Sequence, residues 1–307
     1  MSGRDVNRQS GVALILVLWV SVLLTVIASS FIVERRTEAM IVHNSAALAR
    51  AEAAADAGVF RGVHELYRGE SSPDPWRRDG VPHEWTFDGV AVRVEIRDES
   101  AKIDINTAAE PLLRGLLTSS GLKDDEASRL LDAILDWRDP DSLKRANGAE
   151  EADYRAAGLT YKPANSSFQA IEELQLVLGM RPEIYRRLAP AITVFSRQTG
   201  VNPQVASREV LLAIPGLNAE IVDKYIAERE AARRDKLPVP VLPQAAGFTA
   251  GTSMISTIRS EARMEDGIIF TREAAALLRP VPRRPVTYLA WRDSTAPRAE
   301  EMTGAPH

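Results

Sequence analysis

The sequence predicts an α+β fold: a long N-terminal helix packed on a small antiparallel sheet, with a large all-α insertion. Three observations predict it. An uncharged run over residues 12–33 continues, without a proline, into an alanine-rich amphipathic stretch ending near Tyr67. Segments rich in β-formers stand on both sides of the middle of the chain, at 84–99 and again at 250–292. Between them, 100–236 carries helical periodicity almost throughout.

Composition bounds what such a chain can do. At 307 residues, 45% apolar and 26% charged, it can bury a real core and hold two domains. The net charge of −4 argues against nucleic acid as the main partner. Cysteine is absent, which excludes disulfides and thiol chemistry. The four histidines, His43, His64, His83 and His307, are too scattered for a zinc site. There is no glycine-rich phosphate loop, no Gly-x-Ser-x-Gly and no convincing nucleophile–base pair, so the chain reads as a non-enzyme.

The N-terminal element comes first. From Val12 to Val33 there are 22 residues without a charge. At about 1.5 Å per residue such a helix covers roughly 33 Å, enough for a hydrocarbon core of about 30 Å. Three readings fit the run. It could be a cleaved secretory signal cut near Ala28-Ser29-Ser30, but signal cores are only about 7–15 residues long. It could be a plain signal anchor. Or a peptidase could cut after Gly11, removing the polar leader and keeping the helix. Arg4 and Arg8 favour a cytoplasmic N-terminus, while Arg35 and Arg36 weaken that argument. A basic leader, a glycine, an apolar helix and an alanine-rich continuation together resemble a type IV pilin-like prepilin.

That resemblance implies a leader over 1–11, a spine helix over 12–67 with 12–33 transmembrane, and cleavage between Gly11 and Val12 by a prepilin peptidase. In this family the peptidase also methylates the new N-terminus. Most pilin-like proteins carry a glutamate as fifth mature residue; here that position is Leu16. A carboxylate in a bilayer is kept only where it has a partner. Its absence suits a subunit with no neighbour on one side, and makes Leu16 a marker of the fibre tip. On this departure the chain is similar to the minor pseudopilin K family of type II secretion, GspK.

The later elements follow in order. Ala46 to Ala57 is nearly pure alanine with interspersed charges, and Val59, Val63 and Leu66 form a buried stripe. Residues 69–82 read as loop. Glu84 to Arg97 forms a hairpin about Asp88-Gly89, with Val90, Val92, Val94 and Ile96 on one face. Within 100–236 a weak repeat relates Ala108–Leu122 to Ala206–Leu217, each followed by a second helix, at 127–137 and 219–232. The second copy resembles a helix-hairpin-helix unit, a motif that often binds DNA phosphate through backbone amides. Asn218 replaces its second glycine and Glu220 and Asp223 follow, while the first copy has Lys123-Asp124-Asp125-Glu126. Those residues favour packing or docking, with no nucleic acid bound. A proline-rich exit at 237–243 leads to strands at 252–263, 267–271 and 286–291, a short helix at 272–278, and a disordered tail over 293–307. The order of helix, strands, helical block and strands matches the GspK architecture over 11–292.

One segment could carry chemistry. Asp136-Trp-Arg-Asp139-Pro-Asp141 is followed by Gly148-Ala-Glu150-Glu151-Ala-Asp153 and by Asn165. Closely spaced carboxylates in an irregular loop offer the oxygen ligands a hard cation such as calcium takes. The EF-hand pattern is not met, although Glu150 is twelfth from Asp139, and on spacing alone a solvated acidic loop is the plainer reading. GspK proteins carry a similar pattern, which implies structural calcium on Asp139, Asp141, Glu150 and Asp153, with Glu151 and Asn165 as substitutes.

The resemblance implies a minor pseudopilin at the tip of the pseudopilus, initiating or capping the fibre for protein export across the outer membrane. Its implied partners are the minor pseudopilins I and J, as a tip complex, and the prepilin peptidase. The chain would cross the inner membrane once, with its bulk in the periplasm, and the insertion would offer a surface to the secretin or to exoprotein substrates. Two alternatives stand beside this: a minor pilin of a true type IV pilus, and a membrane-anchored DNA-uptake receptor using its helix-hairpin-helix-like units.

Overall fold

The computed structural model describes residues 9–72, 74–245, 247–279 and 285–293. The side chains of 9–13, 28, 31–37, 39, 70 and 244 lie outside that description. The expected leader over 1–11 therefore falls mostly outside it, as does the expected disordered tail beyond 293.

One helix, α1 (Gln9–Arg68), runs through the described N-terminal residues. It starts before Gly11, and no proline interrupts it. Its two halves live in different surroundings. Up to Ala46 every described side chain is exposed, whereas from Ala47 onward a stripe of Ala51, Ala54, Ala55, Val59 and Val63 is buried. Among the described residues no helix carries a stretch long and apolar enough to cross a membrane. The described part of the uncharged run, Leu14 to Ile27, is shorter than a span needs, and much of the remainder lies on undescribed side chains.

The buried half of α1 lies on a five-stranded sheet. After β1 (His83–Phe87) and β2 (Val90–Asp98) come two short strands of the helical block, β3 (Ile103–Asp104) and β4 (Ile192–Thr193). Then follow β5 (Ile255–Arg263), β6 (Ile269–Leu278) and β7 (Val286–Asp293). The large sheet has the order β1-β2-β5-β6-β7, every neighbouring pair antiparallel. Asp88 and Gly89 join β1 to β2 with φ of 48° and 77°, the pair of left-handed residues a two-residue hairpin turn needs. Val90, Val92, Val94 and Ile96 turn to α1 and are buried, each contributing roughly 1.5–3 kcal/mol of apolar burial. Helix and sheet meet closely at Gly58, where a Cβ would stand 2.0 Å from the Ser260 hydroxyl oxygen.

The expected short helix at 272–278 is a strand instead. Ala274, Ala275 and Ala276 have high helix propensity, but they pair with β5 on one side and β7 on the other. Ala274 and Ala276 are fully buried in the core shared with α1, where only small side chains fit beneath the helix. Tertiary context overrides local propensity here.

The helical block sits between β2 and β5, two strands that are hydrogen-bonded neighbours (Asp98↔Ser256). It contains α2 (Glu110–Ser119), α3 (Asp124–Arg138), α4 (Glu151–Ala156), α5 (Pro182–Leu188), α6 (Arg208–Leu212) and α7 (Ala219–Arg234). The block is less helical than its periodicity suggests: 139–150, 157–170 and 194–207 are irregular, and β3 pairs with β4 in parallel. It has a core of its own, including Leu112, Leu117, Leu131, Tyr154, Leu188 and Leu211. The internal repeat corresponds to α2–α3 and α6–α7, whose turns place Gly121 and Gly216 at φ of 94° and 84°. At Gly115 a Cβ would come within 1.9 Å of the Ala213 carbonyl oxygen, so α2 and α6 cross in backbone contact.

Block and sheet are joined at Glu99, directly after β2 and only 1% exposed. Its carboxylate accepts the hydroxyls of Thr193 in the block and Thr257 on β5, and Lys102 Nζ at 3.0 Å. Burial pushes this carboxyl up, but the Lys102 ammonium and the two hydroxyls outweigh that and hold it below the usual glutamate value. Arg292 on β7 adds a second tie, to Glu172 in the block and Glu273 on β6, both at 2.7 Å.

Candidate functional site

The acidic loop is built outward from α3. Asp139 caps α3 in an extended conformation, and Pro140 cannot continue the helix. One turn apart on the final part of α3, Asp132 and Asp136 reach across to the loop that follows. Asp132 Oδ2 accepts the Asn147 amide at 3.0 Å and its side-chain Nδ2 at 3.1 Å. Asp136, fully buried, accepts the Arg145 N–H on both oxygens, at 3.3 and 3.2 Å. Burial pushes the Asp136 carboxyl up, against the pull of those amides. Gly148 passes so close that a Cβ would lie 1.9 Å from Asp136 Oδ2.

The loop then delivers Glu150 to the N-cap of α4. Asp153 closes that turn, its Oδ2 accepting the Glu150 N–H at 2.9 Å, while its Oδ1 takes Lys144 Nζ at 2.6 Å. The Lys144 hydrogen bond, with the Glu150 amide, holds the Asp153 carboxyl below its usual range. Glu151 faces Arg155 at 2.6 Å and Lys162 at 3.5 Å.

Three buried oxygens here have no hydrogen-bond partner: Asp139 Oδ1, Glu150 Oε1 and Asn165 Oδ1. Glu150 is only 8% exposed, so its open oxygen is costly unless something positive meets it. Asn165 sits in the left-handed region (φ 45°), and its Nδ2 donates to the Asp141 carbonyl at 2.6 Å and to Ser142 Oγ at 3.2 Å. Those donations leave the amide oxygen free. Asp141 spends Oδ1 on the Leu143 amide at 2.8 Å. Burial, followed by the neighbouring negative charges, pushes the carboxyls of Asp139 and Glu150 up. Among the described residues no three His, Cys, Asp or Glu side chains stand at metal-holding distance. The unpartnered groups are two carboxylates and an amide, oxygen donors of the class that hard cations take.

Of the residues expected to bind metal, Asp139 and Glu150 carry open oxygens, Asp141 lies beside them, and Asp153 is engaged by Lys144 and the α4 turn. Asn165, expected as a substitute, joins the open set. The clamping role of Asp132 and Asp136 does not follow from the acidic segment's spacing. Its signal was available as two acids one turn apart within the apolar 130–137 stretch. In the second hairpin, Asn218 Oδ1 accepts the Ile221 amide at 2.9 Å and Asp223 pairs with Arg208 at 2.6 Å. Gly11 and Val12 lie within α1, their side chains outside the description; Leu16 is exposed.

Comparison with known proteins decides the family. The family model described as type II secretion system (T2SS), protein K, matches residues 93–197, which hold Glu99 and the whole acidic loop. Type II secretion system protein K of Pseudomonas aeruginosa is 30% identical over 243 residues, 70% of this chain and 72% of the relative. The chain belongs to the type II secretion system protein K family. The protein K of Pectobacterium carotovorum subsp. carotovorum is 27% identical over 239 residues, 69% of this chain and 72% of that one. A chain in the crystal structure of the GspK–GspI–GspJ complex from enterotoxigenic Escherichia coli shares the fold, with a TM-score of 0.62 at 15% identity. The likeness covers 83% of this chain and 99% of the solved chain, and shows the mixed helix and antiparallel sheet to be the fold of that structure.

Proposed function

We propose that this chain acts as a minor pseudopilin at the tip of the pseudopilus, starting or capping the fibre with partners similar to GspI and GspJ. The observation that carries the reading is the outer half of α1. Its described side chains up to Ala46 are all exposed, and the 22-residue uncharged run lies within it. Such a helix face costs free energy in water, and a bilayer or neighbouring helices would relieve that cost. With α1 laid on the antiparallel sheet, we read the chain as pilin-like, anchored once in the inner membrane with its bulk in the periplasm. Leu16 in place of a glutamate supports a subunit that leaves one side of the fibre unextended. The α2–α3 and α6–α7 hairpins serve packing, since Asn218 fills its own amide pocket and acidic residues follow. The insertion offers a surface to the secretin or to exoproteins.

Calcium has a structural role in this reading. Asp139, Glu150 and Asn165 would hold it, with Asp141 alongside, and the bound cation would supply the positive charge that these oxygens lack.

The N-terminal residue of membrane-extracted protein, determined by peptide mass with and without prepilin peptidase, tests the anchoring scheme. A methylated start at Val12 that is lost without the peptidase is expected. An intact Met1 in both strains, or a cut near Ser29 or Ser30, would overturn it.

A further inference from the structure

The clamp beneath the loop does more than pack it. We infer that Asp132, Asp136 and Gly148 form a positioning frame that sets the cation affinity of the loop without touching the ion, an inference that rests on the calcium reading above. Asp132 and Asp136 hold Asn147 and Arg145 by their backbone amides, so the segment leading into Glu150 is fixed from α3, the helix that also ends at Asp139. The two open carboxylates are thus held by one rigid element. Gly148 lets the loop close onto Asp136, since a side chain there would meet Oδ2 at 1.9 Å.

A bland packing role does not account for the charge. Neutral asparagines could accept the same amides at both positions, yet two buried carboxylates stand there, and the charge of Asp136 acts on both Asp139 and Glu150. The Arg145 guanidinium offsets Asp136 only in part, at 3.8 Å, and shares itself with Glu110 at 3.6 Å. Excess negative charge behind the open oxygens raises the attraction for a divalent cation, while the amide clamps fix the geometry. Outer partners of this kind are commonly worth 10–100-fold in metal affinity.

The test uses the detergent-extracted full chain, titrated with calcium by calorimetry. In parallel, terbium luminescence, excited through Trp137, counts water on the ion from lifetimes in H2O and D2O. The expected result for Asp136→Asn is a calcium affinity about 10–100-fold weaker, with about one more water on terbium. The milder Asp132→Asn, which loosens only the Asn147 clamp, shifts both readouts the same way by less. Asp139→Ala, which removes an open oxygen, abolishes tight binding. Wild-type affinity and hydration in both frame variants, with only melting temperature lowered, would show the frame to be structural and overturn the inference. Absence of calcium binding by the wild type itself would overturn the calcium reading, and the frame with it.

Discussion

At Gly58, α1 lies so close to the sheet that a Cβ would also meet Val92 Cγ1 at 2.8 Å, besides the Ser260 hydroxyl. Glycine costs about 1 kcal/mol in a helix interior relative to alanine, so its presence there reflects the crossing and not the helix. Gly58→Leu is expected to destabilise the chain by about 1–3 kcal/mol, read as a lower melting temperature, because overpacking outweighs the gain in propensity. An unchanged or higher melting temperature would mean that α1 can stand off from β5. The same scale shows what the sequence could reveal of the site. Asp139 and Glu150 were legible because hard-cation chemistry needs closely spaced oxygens in a loop. Asp153 looked equivalent on spacing, but its oxygens serve Lys144 and the Glu150 amide, a distinction only three-dimensional placement makes. Asp136 is visible only as a member of the acidic segment and Asp132 not at all, because acids on an apolar helix face acquire meaning from the loop that folds back on them.

Among the elements, alternation was the most readable signal. Val90, Val92, Val94 and Ile96 mark β2 plainly, because one face is buried and the other is not. In β6 the three alanines at 274–276 gave a helical signal, and their strand state depends on pairing with β5 on one side and β7 on the other, contacts that local propensity does not register. The tie between elements at Glu99 was likewise invisible, since Thr193 and Thr257 are 94 and 158 residues away. That tie has a pH dependence. The Glu99 carboxyl is held below its ordinary value of 4.5, so its contribution is present above that value and is lost as pH falls through the lower, folded value. Glu99→Gln is expected to cost on the order of 2 kcal/mol at pH 7. The difference in stability from wild type should narrow only below about pH 4.5, as seen in paired thermal melts. A gap that stays constant down to pH 3 would deny Glu99 its charged role.

For the whole molecule, the organising fact is that the helical block interrupts two adjacent strands, β2 and β5, of one sheet. A connection that a short turn could make is occupied by a body with its own core, tied back at Glu99 and Arg292. The chain thus combines an exposed half of α1 with a bulky inserted body, the two features on which the proposed fibre-end role rests. A subunit that ends a fibre can carry such a body, because nothing must stack above it. The proposed role is assembly with two particular partners. The most direct measurement is the mass and composition of the species formed when this chain is co-expressed with the I and J pseudopilins of its own secretion system. One copy of each in a single stable complex is the result predicted. Recovery of the chain alone, or as a repeating polymer with the major pseudopilin, would contradict it.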